Sequence, residues 1–295
     1  MSKQTVFRGA ATALVTPLTP AGVDYDALGK LIDWQIGQGI DALVIAGTTG
    51  EGSTLTYDEH QEVIRYSVER AAGRVPIIAG SGSNDTNRAI TLSRFSCDAG
   101  ADALLVVTPY YNKATQNGLI AMYTAIADAV DRPIILYNVP SRTGVNIEPA
   151  TYAALADHPN IVGIKEANGN ISKIVETARL VGDKLAIYSG NDDQVVPILS
   201  MGGSGVISVL SNVMPAQTAG MCRKYFEGDV AGAAKLQMDY LPLINALFSE
   251  VNPIPVKAAM AAMGWCENYL RLPLTPMEDA HWQKLKAIME GHGLI

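Results

Sequence analysis

At 295 residues the chain has room for two small domains or one large one, and with 48% hydrophobic against 17% charged residues it can build a sizeable core with little left for disordered tracts. Its net charge of -7, with no local cluster of lysine and arginine to reverse it, argues against nucleic acid as a partner. The opening MSKQTVFRGA has no apolar run followed by a small-residue cleavage site, and no stretch approaches the roughly 18 apolar residues of a membrane span, so a cytoplasmic location and no membrane partner are expected.

Short runs rich in β-branched and aliphatic residues recur along the chain: ATALVTPL (11–18), ALVIAGTTG (42–50), VPIIAGSG (75–82), ADALLVVTPYY (101–111), PIILYNVP (133–140), IVGIKEA (161–167), LAIYSGND (185–192) and GVISVLSN (205–212). Their centres lie roughly 20 to 35 residues apart, the spacing of a βα unit. They are nearly continuous in apolar character rather than alternating, as interior parallel strands are. Between them, Leu28, Leu31, Ile32 and Ile36, and likewise Ile171, Ile174, Val175 and Ala178, recur at helical spacing. Thr56 and Glu59 have the spacing of a capping box, which predicts a helix running from there through Val63, Ile64 and Val68. About eight strand signals, each followed by a helix signal, predict an α/β fold, a (β/α)8 TIM barrel, over an open doubly wound sheet, which at this size more often carries a second domain or a reversed strand order. After residue 213 the strand signals stop, and 215–228, 233–250, 253–265 and a segment near 281–290 read as helices. The expected division is a catalytic barrel over 1–225 and a C-terminal helical domain over 226–295.

In such a barrel the functional residues sit at the carboxyl ends of the strands. Those ends carry Thr48-Thr49-Gly50-Glu51, Tyr110-Tyr111, Tyr137-Asn138, Lys165-Glu166 and Ser189-Gly190-Asn191-Asp192, which would all converge on one mouth. IVGIK puts the Lys165 ammonium at the tip of an apolar strand, with Glu166 pointing to the other face. Desolvation there would leave a neutral amine fit to attack a ketone; a lysine that snorkels, or pairs with an acid from another strand, is the alternative. Tyr137, Thr49 and Tyr111 supply hydroxyls for proton transfer beside it. GTTG (47–50) leads toward a helix, so its backbone N–H groups suit a carboxylate or phosphate, though an ordinary βα turn reads the same way, as does GGSG (202–205). Arg142 is a planar donor suited to a second carboxylate. Cys97, Cys222 and Cys266 lack CxxC spacing and read as free thiols, and His60, His158, His281 and His292 show no ligand spacing, so no metal is expected.

GTTGE (47–51), VTPYYN (107–112), LYNVPSRTG (136–144), GIKEA (163–167), YSGNDD (188–193) and GVISV (205–209), in that order, resemble the motifs of the dihydrodipicolinate synthase family, and NPIPVKAA (252–259) and LRLPLTP (270–276) resemble its helical tail. The resemblance implies that Lys165 forms a Schiff base with pyruvate. It implies a proton relay of Tyr137, Thr49 and Tyr111, with Tyr111 lent by a neighbouring subunit of a homotetramer. Thr48 and Thr49 would hold the pyruvate carboxylate, Gly190 and Ile207 would offer main-chain contacts, and Arg142 would receive the carboxylate of L-aspartate 4-semialdehyde. The implied product is 4-hydroxy-tetrahydrodipicolinate, in lysine and diaminopimelate biosynthesis, with no metal or organic cofactor because the protonated imine acts as the electron sink.

The same lysine, tyrosine and turn also serve N-acetylneuraminate lyase and keto-deoxy-sugar-acid aldolases, from which Arg142 separates this chain best. A non-catalytic keto-acid sensor is opposed by the complete set Lys165, Tyr137, Thr49, Tyr111 and Arg142, and a phosphate-handling isomerase using GGSG leaves Lys165 and Tyr137 without a role. In lysine-inhibited members a glutamate and histidines form an allosteric site. The matching positions here are Arg88 and Tyr57, with His60, Asn84 and Tyr110 retained, so weak or absent inhibition by lysine is expected.

Overall fold

The computed structural model describes residues 5–295, so the first four residues of the expected barrel domain and of the opening segment lie outside the described residues. Eight parallel strands close into a barrel: β1 Gly9–Ala13, β2 Ala42–Ile45, β3 Ile77–Gly80, β4 Ala103–Val107, β5 Ile134–Asn138, β6 Ile161–Glu166, β7 Ala186–Ser189 and β8 Gly205–Ser208. Each strand pairs with its neighbours in sequence, and β8 closes on β1 through Gly9↔Gly205 to Thr12↔Ser208. The expected TIM barrel is therefore the observed fold.

Alternation along each strand separates two apolar layers. Ala11, Ala13, Ala42, Val44, Ile78, Ala103, Leu105, Ile135, Tyr137, Tyr188 and Ile207 fill the barrel interior with Phe7. The alternate residues, among them Ala10, Leu43, Ile45, Leu104, Leu136 and Ile164, join the larger layer between strands and helices. Both faces of every strand are thus covered, which is why the sequence runs read as continuously apolar.

The strand signals overran the strands at their carboxyl ends. β2 stops at Ile45 rather than reaching residue 50, because Ala46 takes φ 54° and turns the chain into the GTTGE loop. The first strand is Gly9–Ala13, and residues 14–18 instead lead into a two-stranded hairpin, Leu18–Thr19 with Gly22–Val23. Helix α1 covers Tyr25–Gly37, α2 Tyr57–Ala71, α3 Thr86–Asp98, α4 Gln116–Asp128, α5 Pro149–Leu155, α6 Ile171–Val181, α7 Val195–Ser200 and α8 Pro215–Phe226. Both halves of the Thr56/Glu59 capping box are formed at the start of α2. In α6 the buried residues are Ile174, Thr177 and Val181, whereas Val175 is exposed.

Beyond the barrel come α9 Val230–Asp239, α10 Leu241–Leu247, α11 Ile254–Ala262 and α12 Asp279–Gly291. The single helix expected over 233–250 is two, since Pro242 cannot continue the hydrogen-bond ladder and sits instead in the first turn of α10. Among the described residues no helix is long and apolar enough to cross a membrane.

The tail grips the loop after β2. Lys257, fully buried on α11, pairs with the buried Glu51 carboxylate and donates to the Tyr269 carbonyl at 2.7 Å. The other Glu51 oxygen accepts from the Arg271 amide at 3.1 Å, and the Arg271 guanidinium holds both Glu59 oxygens. A buried pair is weak evidence of net stability, but breaking one side strands a charge at a cost of about 3–5 kcal/mol. Lys257→Met should therefore lower the melting temperature by roughly 5–8 °C. Adding Glu51→Gln to it should recover part of that loss, which thermal unfolding of the single and double variants would check.

Candidate active site

Parallel register places Tyr137, Lys165 and Tyr188 side by side on β5, β6 and β7. Tyr137 and Tyr188 belong to the interior layer, and Lys165 extends its amine over the Tyr137 ring, 4.3 Å from the centroid. The next inward position deeper in the barrel is Gly163, where an added Cβ would lie 3.3 Å from the Tyr188 ring. Tyr188 fills that layer, stacking on Phe7 and donating its hydroxyl to the Phe7 carbonyl at 2.8 Å. Lys165 therefore stands on a packed apolar floor.

Lys165 is only 6% exposed. Burial lowers its pKa to about 7, with the nearby Asp192 opposing and the Arg142 guanidinium reinforcing the shift. A change of that size corresponds to about 5 kcal/mol, larger than the roughly 2 kcal/mol a desolvated cation gains over an aromatic face. Desolvation therefore wins, and near neutral pH about half of the amine is uncharged. Burial also pushes the Tyr137 hydroxyl up, against the lowering influence of Arg142 and of a hydrogen bond with the Thr48 side chain, so the phenol stays protonated. The site thus holds a neutral nucleophile beside a neutral proton donor.

Glu166 points outward, as expected from the strand alternation. Its carboxyl accepts from Asn138 Nδ2, the Tyr152 hydroxyl and the Asn168 amide, each at 2.9 Å at closest, while burial raises its pKa to about 7. It anchors β5 and β6 from behind rather than pairing with Lys165.

The loop after β2 is strained as well as clamped. Glu51 has φ 53°, uncommon outside glycine, and a Cβ at Gly52 would lie 2.1 Å from the Ala46 carbonyl oxygen. Thr49 is buried and its hydroxyl accepts from Asn252 Nδ2 at 3.0 Å. Arg142, on the single helical turn Pro140–Thr143, reaches the Asn252 carbonyl with Nη2 at 3.0 Å. At Gly190 a Cβ would meet that of Ala167 at 2.8 Å, and its N–H is committed to the Glu166 carbonyl at 2.8 Å, so any substrate contact there runs through its carbonyl oxygen. Ile207 faces the barrel interior with Tyr137.

Tyr111 is the exception, at 93% exposed. It sits at φ 71° in a γ turn closed by the Asn112 N–H on the Tyr110 carbonyl at 2.9 Å, a rare and strained form. Within one chain it is presented outward and does not join Lys165.

A cavity of about 340 Å³ opens from Thr48, Tyr137 and Arg142 toward Tyr57, His60 and Arg88. His60 is held between the Gly52 and Gly80 carbonyls, and its pKa is lowered chiefly by burial and also by Arg88. Asn84 donates to the Tyr110 carbonyl at 3.2 Å. The cavity therefore contains an arginine at the position where the resemblance places a glutamate.

Sequence reasoning assigned no role to Asn252, Asp192 or the Glu51–Lys257 pair. Asp192 is buried beside Lys165, its Oδ2 accepting from the Val209 and Leu210 amides at 2.9 and 2.8 Å. Its segment follows the carboxyl end of β7, where the sequence places functional residues. The NPIPVKAA motif contains both Asn252 and Lys257, but nothing local in it indicates that the tail returns to the barrel mouth. Among the described residues Glu250, Glu278 and His281 bring possible metal-ligand atoms within 4.8 Å of one another. Glu250 Oε1 is already engaged by the Glu278 amide at 3.0 Å and by His281 Nδ1 at 2.8 Å, tying the start of α12 to the segment between α10 and α11.

The model of the dihydrodipicolinate synthetase family matches residues 6–292. This chain belongs to that family. The family chain is 56% identical over 292 residues to a 4-hydroxy-tetrahydrodipicolinate synthase of Lachnoclostridium phytofermentans, covering 98% of this chain and 99% of that one. It superposes on a dihydrodipicolinate synthase of Thermotoga maritima with a TM-score of 0.97 at 42% identity, covering 99% and 100% of the two chains. A chloride-inhibited dihydrodipicolinate synthase of Acinetobacter baumannii, solved in complex with pyruvate, gives 0.96 at 44% identity over the same shares.

The depressed Lys165 pKa makes a kinetic prediction. Only the neutral amine reacts, so reductive methylation of Lys165 by formaldehyde should rise with pH up to about 7 and then level off. Exposed lysines, with ordinary values near 10.4, should keep accelerating well beyond that point. Arg142→Ala removes a neighbouring cation and should move the Lys165 midpoint up, whereas Asp192→Asn should move it down. Peptide mass spectrometry across a pH series reads both shifts.

Proposed function

We propose that this protein is a 4-hydroxy-tetrahydrodipicolinate synthase that condenses pyruvate with L-aspartate 4-semialdehyde through a Schiff base on Lys165. The observation that carries the reading is a buried lysine, about half uncharged near neutral pH, inside the barrel with its amine over the Tyr137 ring and within the influence of Arg142. The Lys165 amine attacks the pyruvate ketone, and loss of water leaves a protonated imine. That cation draws electrons from the methyl carbon, which loses a proton to give an enamine. The enamine carbon bonds to the aldehyde carbon of the second substrate. The substrate's amine then attacks the imine carbon, closes the ring and frees Lys165.

In this reading Tyr137, Thr49 and Tyr111 carry protons, Thr48 and Thr49 hold the pyruvate carboxylate, Gly190 and Ile207 add main-chain contacts, and Arg142 takes the carboxylate of the semialdehyde. Tyr111, exposed and strained at the barrel rim, serves the site of a neighbouring copy in a homotetramer. Residues 1–225 form the catalytic barrel and 226–295 the helical domain that clamps its mouth, in a cytoplasmic enzyme.

Incubation with pyruvate followed by borohydride reduction should leave an adduct on the Lys165 peptide and none on a Lys165→Arg variant. An unmodified Lys165 contradicts the reading. Charge-assisted hydrogen bonds contribute about 1.5–3 kcal/mol, so Arg142→Ala should lower kcat/KM for the semialdehyde roughly 10- to 100-fold while the pyruvate adduct still forms. Turnover of N-acetylneuraminate or a keto-deoxy sugar acid in preference to the semialdehyde would point to a sister activity.

We also propose weak or absent inhibition by lysine. Arg88 lines the cavity with Tyr57 and His60, and its cation repels an ammonium ligand. Steady-state rates should hold through sub-millimolar lysine; half-maximal inhibition in that range contradicts the proposal.

A further inference from the structure

Two arginines, Arg142 and Arg88, line the cavity that opens from the barrel mouth, and no aspartate or glutamate lines it. Arg142 is held by the Asn252 carbonyl and has a task in the proposed reaction. Arg88 is left over: among the described residues no salt bridge engages it. Asp85, three residues earlier, gives its carboxylate to the Arg88 backbone amide at 2.7 Å as the cap of α3.

His60, in the same lining, also lacks a nearby negative charge. Its Nδ1 and Nε2 lie 3.3 and 2.8 Å from the carbonyl oxygens of Gly52 and Gly80, and both partners are acceptors. A neutral imidazole has a single N–H, so one of these contacts goes unpaired. Pairing both takes the imidazolium, which burial and the Arg88 cation oppose. An anion beside Arg88 would remove part of that opposition. The buried Ser83 hydroxyl faces the same space, and because its oxygen accepts from the Asp85 amide at 3.2 Å its proton remains to be donated. Leu55, Leu92 and Leu105 add apolar wall. A guanidinium and a hydroxyl suit a carboxylate, and the leucines suit a hydrocarbon body attached to it.

We infer that the Arg88 end of the cavity is a binding site for a small carboxylate with a short apolar body and no ammonium group. Arg88 takes the carboxylate, Ser83 adds a hydrogen bond, and the leucines cover the hydrocarbon. The site is separate from the Lys165 chemistry and shares with the proposed insensitivity to lysine only the position of Arg88.

Pentanoate has the proposed chemistry, and pentylammonium has the same body with the charge reversed. In ligand-observed NMR titrations of the full-length protein, pentanoate should bind saturably and pentylammonium should not. Acetate, which lacks the body, should bind about tenfold more weakly. Arg88→Glu places an acid in the first turn of α3, where helices accept one, so the fold should survive. R88E should lower the affinity for pentanoate at least tenfold, the scale of a lost charge-assisted hydrogen bond, and should let pentylammonium bind. Arg142→Ala, and separately saturating pyruvate, should leave the pentanoate affinity within twofold.

No saturable binding of pentanoate, an R88E affinity within twofold of the unsubstituted protein's, or loss of binding in R142A or on adding pyruvate would each overturn the inference. Failure of pyruvate to trap on Lys165 would overturn the Schiff-base reading, and inhibition by sub-millimolar lysine the proposed insensitivity, with these titrations unchanged.

Discussion

Water is kept from the Lys165 amine by a barrel whose interior is packed below it, and the other features of the site follow from that exclusion. Gly163 leaves room for the Tyr188 ring, Tyr188 is pinned to the Phe7 carbonyl, and Lys165 stands above them at the mouth. Burial opposes the ammonium more strongly than Asp192 or the Tyr137 ring can favour it. The same burial keeps the Tyr137 phenol protonated. A nucleophile and an acid are obtained at neutral pH from two residues paired on adjacent strands.

Such a pocket needs walls that do not yield, and the helical tail supplies one of them. The loop after β2 combines non-glycine residues at positive φ, Ala46 and Glu51, with a glycine pressed against the Ala46 carbonyl. Strain of this kind persists only where surrounding contacts over-determine it. Lys257 and Arg271 provide those contacts from more than 200 residues away in sequence. The tail therefore holds the shape of the loop that presents Thr48 and Thr49, and Asn252 extends the same connection to Thr49 and Arg142.

The barrel was legible in the sequence because every strand is covered on both faces, so its apolar runs recur without alternation. Lys165 was legible for the complementary reason: a charged side chain at the end of such a run is costly unless it has work to do. The strand ends were less legible, since Ala46 leaves the strand by a backbone torsion that its side chain does not announce. The division of the 233–250 helix could have been anticipated from Pro242 alone. Glu51–Lys257 and Asn252–Thr49 were not legible, because each pairs residues whose proximity is created only when the tail folds back over the barrel mouth. Tyr111 illustrates a different limit: its motif is visible in the sequence, but in a single chain its ring faces outward, away from Lys165.

The fold lowers the Lys165 pKa so far that about half of the amine is uncharged near neutral pH. The most direct measurement is a titration of that amine by NMR, with lysine labelled at the ε carbon and the Lys165 signal assigned by its absence in Lys165→Arg. The account predicts a midpoint near 7. A midpoint close to the ordinary lysine value of about 10.4 would contradict it.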